Sequence, residues 1–299
     1  MKTLLLDHAN HYIHLPLSIL FERVTNFNEV FPFITPNMIS ASHVIIALFG
    51  MKLLWSHHIS VRQLGFILFE VRNFLDELDG TIARSRTHHS ISYVDVGSTG
   101  FFVDGACDTI GSAALYIGAF VYLYNHSLTS AISPKSQLSS IIPLTQKPPV
   151  SKDSLEWSQS FQNIFSISNG SMQSKKKVII VICCSAMQMI LASLFWNQAM
   201  DGYHSILETD TSTPQERELQ VEVLKSTTMW IIIMLWRVCN PHALLEMVLV
   251  SIFIDKLWSF LRWTQYYGFV IILILSAVTH AHMHYAKTLI SSSGYSGNL

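Results

Sequence analysis

Charged residues are scarce in this chain of 299 residues, since Asp, Glu, Lys and Arg together make up only 13% of it. A soluble globular domain carries about 25%. The 19 Lys and Arg residues are offset by 20 Asp and Glu residues, which gives a formal net charge of -1. Without a surplus of cations to neutralise phosphates, the composition excludes a protein that binds nucleic acid through a basic surface.

Cysteine is sparse as well, and four residues are too few for a disulfide scaffold. All four lie in apolar runs, where they are expected to act as small core side chains. Hydrophobic residues, in contrast, make up 50% of the chain, and its mean hydropathy is +0.35. This excludes intrinsic disorder, which requires low hydrophobicity, and predicts a helical membrane protein.

Six apolar runs are each near the roughly 20 residues that a helix needs to cross the hydrocarbon core of a bilayer. They cover residues 39–55, 61–78, 101–124, 178–198, 228–254 and 267–285. Asn240-Pro241 in the fifth run predicts a kink, or a division into two segments that would raise the count to seven.

The remaining segments complete the predicted architecture. Apolar residues at helical spacing within residues 11–35 favour a helix in the membrane interface, with an ordinary surface helix as the alternative. Residues 126–177 are rich in Ser, Pro, Gln and Lys, which predicts a mobile loop. We therefore predict an all-α fold, a single membrane domain over residues 1–299 with about six transmembrane helices and an N-terminal interfacial helix.

Acidic residues cluster where the second predicted span ends and the third begins. Asp76 and Asp79 are three residues apart, and Asp104 and Asp108 are four apart, so each pair lies on one face of its helix. A charged residue within a span costs at least about 2.5 kcal/mol on insertion scales. Because a loop joins the two helices, we expect the four carboxylates to converge near the membrane surface.

Four carboxylates at one level repel one another unless cations lie between them. Ligand sets made only of oxygen suit hard divalent ions such as Mg²⁺, Mn²⁺ or Ca²⁺. Two such ions could clamp a pyrophosphate. The alternative is a structural set of salt bridges to Arg72, Arg84 and Arg86, and the spacing alone leaves it open.

The same region resembles the signature of the CDP-alcohol phosphotransferases. Residues 76–84 read DELDGTIAR and residues 100–108 read GFFVDGACD, so all eight positions of the pattern D-x2-D-G-x2-A-R…G-x3-D-x3-D match. The spacer of fifteen residues, 85–99, is longer than the family's usual eight. With six spans and this spacer, the chain is most similar to the ceramide phosphoethanolamine synthases of insects.

This resemblance implies an enzyme that transfers phosphoethanolamine from CDP-ethanolamine to the primary hydroxyl of ceramide, releasing CMP. It implies two divalent ions, Mn²⁺ or Mg²⁺, held by Asp76, Asp79, Asp104 and Asp108. Asp108 is also the general base that the family's mechanism proposes. The resemblance further implies a homodimer.

The resemblance also assigns residues to the CDP moiety. These are the small or basic motif positions Gly80, Ala83, Arg84 and Gly100. Weaker comparisons add Asn37, at the start of the first span, and Asp201 and His204, which follow the fourth span.

Two other functions stay open at this point. Nothing in the sequence identifies the acceptor or the head group, so a choline or ethanolamine phosphotransferase acting on diacylglycerol is the nearest alternative. A divalent-metal transporter that uses the Asp cluster as its ion site is the alternative from a different class.

The distribution of basic residues predicts an orientation. Across six alternating spans, more Lys and Arg residues lie on the face opposite the Asp cluster, which the positive-inside rule places in the cytosol. The Asp cluster would then face a lumen, as the resemblance implies for a Golgi membrane, with the endoplasmic reticulum as the alternative. The glycosylation sequons at Asn125 and Asn169 would lie on the cytosolic face and stay unmodified.

Overall fold

A computed structural model describes residues 7–87, 99–132, 175–208 and 214–296 of the chain. Within these ranges every regular element is a helix and no strand is present, which confirms the all-α fold. The predicted mobile loop, residues 126–177, lies outside the described residues except at its two ends. There, residues 126–132 and 175–177 extend the flanking helices.

The described residues form one π-helical turn and ten α-helices. A π-helical turn at Asn10–His14 leads directly into the first α-helix. The α-helices are α1 (Leu15–Thr25), α2 (Phe27–Val30), α3 (Pro36–Leu54), α4 (Ile59–Thr87), α5 (Thr99–Ile132), α6 (Lys175–Leu207), α7 (Pro214–Lys225), α8 (Thr227–Cys239), α9 (Pro241–Phe253) and α10 (Leu257–Ser296).

Four of these helices contain segments that are long and apolar enough to cross a membrane: Pro36–Leu54, Phe102–Asn125, Lys175–Leu207 and Leu257–Ser291. The helices α7 and α8, bent by 55° at their junction, make a fifth if the pair is one span. The chain is thus an integral membrane protein with four or five such spans among its described residues. The count of six stays a prediction, because it requires the charged helix α4 to cross and the helices α8 and α9 together to form one crossing.

The predicted break at Asn240-Pro241 is a complete helix end followed by a new start. Asn240 has an extended backbone (φ -71°, ψ 162°), and its side chain accepts a hydrogen bond of 2.8 Å from the Ala243 N–H. Pro241 fits the first position of α9, where no intrahelical donor is needed. Thr35 and Pro36 begin α3 in the same way.

Glycines allow α3 and α4 to pack closely. A Cβ atom on Gly50 would lie 2.9 Å from Phe69 Cε2, and one on Gly65 would lie 2.9 Å from Leu54 Cδ2. Small residues at a helix crossing let backbones approach and increase van der Waals contact, which drives helix association in lipid. The close crossing brings the polar face of α3 against α4.

An ionic cluster around a buried arginine connects helices at the end of the bundle where α4 begins. Arg62 of α4 is 2% exposed, and its Nη2 lies 2.5 Å from Asp255 Oδ1 in the turn between α9 and α10. The Tyr122 hydroxyl of α5 donates to the same Asp255 oxygen at 3.1 Å, and the Arg62 guanidinium lies over the Tyr122 ring. This Arg62–Asp255–Tyr122 cluster ties together α4, α5 and the α9–α10 turn.

The interfacial helix lies at the end opposite to this cluster. The Ser18 hydroxyl of α1 is 3.0 Å from the Thr81 hydroxyl of α4. Leu17, Leu20 and Val24 are exposed on α1. A short helix that packs with one side and leaves apolar side chains outside is the arrangement expected in the membrane interface.

Candidate active site

Three neighbouring helices bring together one imidazole and three carboxylates. His43 comes from α3, Asp76 from α4, and Asp104 and Asp108 from successive turns of α5. Each residue offers one ligand atom, and these atoms all lie within 4.8 Å of one another. We refer to these four residues as the carboxylate–histidine cluster.

Asp79 lies one turn farther along α4 and is not part of this cluster. Its side chain is 4% exposed and accepts a hydrogen bond from the Ser40 hydroxyl of α3. Of the four carboxylates expected to converge, the structure thus brings three together with His43 and places the fourth beside them. The Ser40 contact explains the offset, because it holds Asp79 against α3.

The cluster concentrates three carboxyl groups around one buried guanidinium. The carboxyl groups of Asp76 and Asp108 are within hydrogen-bonding distance of each other. The Arg72 guanidinium forms an ion pair with Asp108. Asp76 and Asp104 place two further carboxyl groups beside this ion pair.

This arrangement fits a divalent cation. Two carboxyl groups in contact must share a proton or a cation, since two ionised ones repel each other. Carboxylate oxygens are the ligands that Mg²⁺ and Mn²⁺ prefer, and an imidazole nitrogen is acceptable to Mn²⁺. The residues present are therefore suited to the metal that the motif implies.

The space at Gly111 and a hydrogen bond to Asn73 hold the Arg72 guanidinium in place. A Cβ on Gly111, three residues after Asp108, would lie 2.8 Å from the Arg72 Nε, so the missing side chain makes room for the guanidinium. Arg72 Nη1 donates to Asn73 Oδ1 at 3.0 Å, and Asn73 Nδ2 donates to Glu246 Oε1 of α9 at 2.6 Å.

A second polar group lies beyond Asn73. Glu246, Glu70 and His14 offer ligand atoms within 4.8 Å of one another. His14 Nε2 is 3.5 Å from Glu70 Oε2, and the two glutamates are in hydrogen-bonding contact. The route from Asp108 through Arg72 and Asn73 therefore connects the cluster to the N-terminal segment and to α9.

The salt-bridge alternative holds for one arginine of the three. Arg72 pairs with Asp108, as described above. Arg84 Nη2 instead lies 3.1 Å from Glu77 Oε1 and donates to Thr81 Oγ1. Arg86 Nε donates to Asn28 Oδ1 at 2.9 Å.

The motif positions assigned to the CDP moiety lie beside the cluster on α4 and α5. A Cβ on Gly80 would lie 3.1 Å from Arg84 Nη1, so the arginine side chain folds back over the glycine. Ala83 is half-buried one turn later on α4, and Gly100 is half-buried in the first turn of α5.

The weaker candidates lie at exposed positions. Asn37 is exposed in the first turn of α3. Asp201 and His204 are exposed in the last turns of α6, where His204 Nδ1 is 2.6 Å from Glu208 Oε2. Neither Asp201 nor His204 belongs to the carboxylate–histidine cluster.

Sequence reasoning missed His43 as a cluster member and Gly111 as the space for Arg72. The available signal for His43 was weak: Ser40 and His43 are polar residues three apart in an otherwise apolar span. For Gly111, the signal was its position three residues after Asp108 on the same helix face.

Comparison with known proteins agrees with the motif. The family model described as ceramide phosphoethanolamine synthase matches residues 1–293. A Drosophila melanogaster protein named ceramide phosphoethanolamine synthase is 37% identical over 299 residues, which cover 100% of this chain and 71% of that protein. No solved structure matches the chain. The resemblance seen in the motif is therefore confirmed, and the chain belongs to the ceramide phosphoethanolamine synthase family, an enzyme family of phosphotransferases.

Proposed function

We propose that this protein transfers phosphoethanolamine from CDP-ethanolamine to the primary hydroxyl of ceramide. The products are ceramide phosphoethanolamine and CMP. The observation that carries the proposal is the convergence of Asp76, Asp104 and Asp108, three positions of the phosphotransferase motif, in a member of this family.

The motif carboxylates would hold two divalent ions, Mn²⁺ or Mg²⁺. Asp76, Asp104 and Asp108 are in position to share them, and Asp79 is adjacent. When bound, such ions neutralise phosphate charge and stabilise both the attacking and the leaving oxygen of an in-line displacement.

In the transfer, the chain's own residues accept the hydroxyl proton and orient the group that accepts it. The ceramide hydroxyl oxygen forms a bond to the β-phosphorus of CDP-ethanolamine, and the bond from that phosphorus to the bridging oxygen breaks, so that CMP leaves with the electron pair. The hydroxyl proton needs an acceptor, and the Asp108 carboxylate is the motif residue proposed for it. Arg72 keeps Asp108 oriented through their ion pair.

The nucleotide side of the site is assigned to α4 and the start of α5. Gly80, Ala83 and Gly100 have small side chains that permit a close approach of the pyrophosphate and cytidine. Arg84 can give bidentate hydrogen bonds to phosphate once it leaves Glu77. The side chain of Arg84 is 37% exposed, so this exchange needs no repacking of the core.

Acceptor and head group are best tested together in one experiment. The full chain, reconstituted in vesicles with ceramide or diacylglycerol, is supplied with radiolabelled CDP-ethanolamine or CDP-choline. We expect labelled ceramide phosphoethanolamine and CMP only when ceramide is combined with CDP-ethanolamine. Faster transfer to diacylglycerol would instead assign the glycerolipid alternative, and no CMP release with any pair would overturn the proposal. Membership in an enzyme family already argues against the metal transporter.

For localisation, we propose a Golgi membrane with the carboxylate–histidine cluster on the lumenal side, and a homodimer in the bilayer. The support is the greater number of Lys and Arg residues on the opposite face. Asn125 and Asn169 would then lie in the cytosol. Glycosidase treatment of the protein from cells should leave its electrophoretic mobility unchanged, whereas a glycan on either asparagine would invert the orientation.

A further inference from the structure

The face of α3 that meets α4 carries two buried polar side chains. Ser40 is 2% exposed and His43 is 0% exposed. They lie three residues apart on α3, and Asp76 and Asp79 lie three residues apart on α4. The two helices pair these residues in register, Ser40 with Asp79 and His43 with Asp76.

The two pairs differ in one respect. Ser40 donates a hydrogen bond to Asp79. Neither ring nitrogen of His43 has a hydrogen-bond partner among the described residues. The closest carboxylate oxygen is Asp76 Oδ1, which is 3.7 Å from His43 Nε2 and too far for a hydrogen bond.

A fully buried imidazole without partners requires an explanation. Buried polar atoms in folded proteins almost always have a partner, and leaving one without costs about 1–3 kcal/mol. Around His43 there are three carboxylates, Asp76, Asp104 and Asp108, and their oxygens lie close enough to its ring nitrogen to share one ion with it. A metal ion between them would bind one imidazole nitrogen and the carboxylates at once.

We propose that His43 is a nitrogen ligand of a divalent cation held together with Asp76, Asp104 and Asp108. The proposal rests on the proposed function, and it adds to the motif a ligand from a different helix. Ligand atoms about 2.0–2.6 Å from one hard cation are at most about 4.0–5.2 Å apart. The four ligand atoms here lie within 4.8 Å of one another.

A nitrogen ligand changes which metal the site prefers. Oxygen ligands alone suit Mg²⁺ and Mn²⁺ alike, whereas imidazole binds transition metals better than it binds Mg²⁺. His43 therefore makes the site selective for Mn²⁺ over Mg²⁺. Replacing His43 by a residue with an oxygen donor is expected to reduce this selectivity.

Electron paramagnetic resonance of Mn²⁺ tests the proposal without a turnover assay. The full chain in detergent or lipid is titrated with Mn²⁺, and electron spin echo modulation then detects nitrogen bonded to the ion. We expect nitrogen coupling in the unsubstituted protein. When its histidines carry ¹⁵N, the ¹⁴N modulation should be replaced by that of ¹⁵N. This measurement uses the unsubstituted protein, so it is valid even if a substituted chain fails to fold.

Three substitutions identify the histidine. His43→Gln should remove the coupling and weaken Mn²⁺ binding about tenfold or more, while Mg²⁺ binding changes less. His242→Gln is a control because His242 is the other imidazole close to Asp108. His282→Gln is a control for a histidine elsewhere, since its Nδ1 bonds the Tyr203 hydroxyl. Both controls should retain the coupling.

The outcomes separate this inference from the proposed function. Mn²⁺ binding without histidine nitrogen coupling would overturn the role of His43 and leave the motif carboxylates as the metal site. Coupling that survives in His43→Gln and disappears in His242→Gln would also overturn it. Absence of any stoichiometric Mn²⁺ binding would defeat both the His43 ligand and the two-metal proposal.

Discussion

Asp76 and Asp108 are both motif residues, yet their surroundings differ. Asp108 is paired with Arg72, whereas Asp76 faces His43 and the carboxyl group of Asp108. An amide in either place keeps the shape of the side chain and removes one negative charge. The substitution therefore tests the charge without creating a cavity.

We expect Asp76→Asn and Asp108→Asn to lower transfer at least about 100-fold, because metal-assisted charge stabilisation is worth several kcal/mol. Both variants should insert and purify like the unsubstituted protein. Glu222→Gln, a change of the same kind at an exposed position of α7, serves as the control. Product formation with radiolabelled CDP-ethanolamine measures the effect, and activity close to normal in either Asp variant would contradict the assignment.

Gly111 is a second position where the addition of one methyl group has a defined consequence. A methyl group there would lie 2.8 Å from Arg72 Nε and would move the guanidinium away from Asp108. We expect Gly111→Ala to reduce kcat about tenfold, since a hydrogen bond to a charged group is worth about 1.5–3 kcal/mol. Gly105→Ala on the same helix is the matched control, because nothing lies within 4 Å of a Cβ at that position. If both alanine variants lower kcat equally, the loss comes from a change in helix α5 and not from the displacement of Arg72.

Among the helices, α4 connects the two ends of the bundle. Its first turns carry Arg62, which binds Asp255 and Tyr122, and its second half carries Asp76 and Asp79, two of the four motif carboxylates. The turn at Asp255 has a positive φ of 57°, a conformation that Asp and Asn tolerate better than most residues. The same side chain thus shapes the turn and neutralises a buried arginine.

Removing Arg62 is expected to destabilise the bundle by about 1.5–3 kcal/mol, because the charge-assisted hydrogen bond between its buried guanidinium and the half-exposed Asp255 carboxylate is lost. Tyr122→Phe removes only one hydrogen bond and should cost about 1 kcal/mol. Thermal unfolding in detergent would report Arg62→Ala as clearly less stable than Tyr122→Phe. If the two variants unfold at the same temperature, the cluster does not hold these helices together.

For the molecule as a whole, the proposed function predicts dependence on a divalent ion, because the carboxylate–histidine cluster brings four ligand atoms within 4.8 Å of one another. Chelation should abolish transfer, and added Mn²⁺ or Mg²⁺ should restore it. The radiolabelled transfer assay before and after chelator treatment is sufficient as a measurement. Full activity in the presence of excess chelator would contradict the metal-dependent mechanism.

Local spacing made much of this molecule predictable. The i, i+3 and i, i+4 spacing of the acidic residues placed each pair on one helix face, and Asn240-Pro241 marked a helix end, because both depend only on neighbouring residues. His43 could not be assigned in this way, because its role depends on how α3 packs against α4 and α5. The number of crossings also stays undecided by composition, since the charges that α4 carries obscure its apolar character.

The hydroxyl contact between Ser18 and Thr81 anchors an amphipathic helix next to the reacting end of α4. If α1 lies in the membrane interface, the proposed function predicts that acceptor lipids reach the motif carboxylates sideways, from the monolayer that holds α1. Product is released into that same monolayer, so each turnover enriches one half of the bilayer in the new sphingolipid. Equalising the two halves then requires a separate flippase or scramblase.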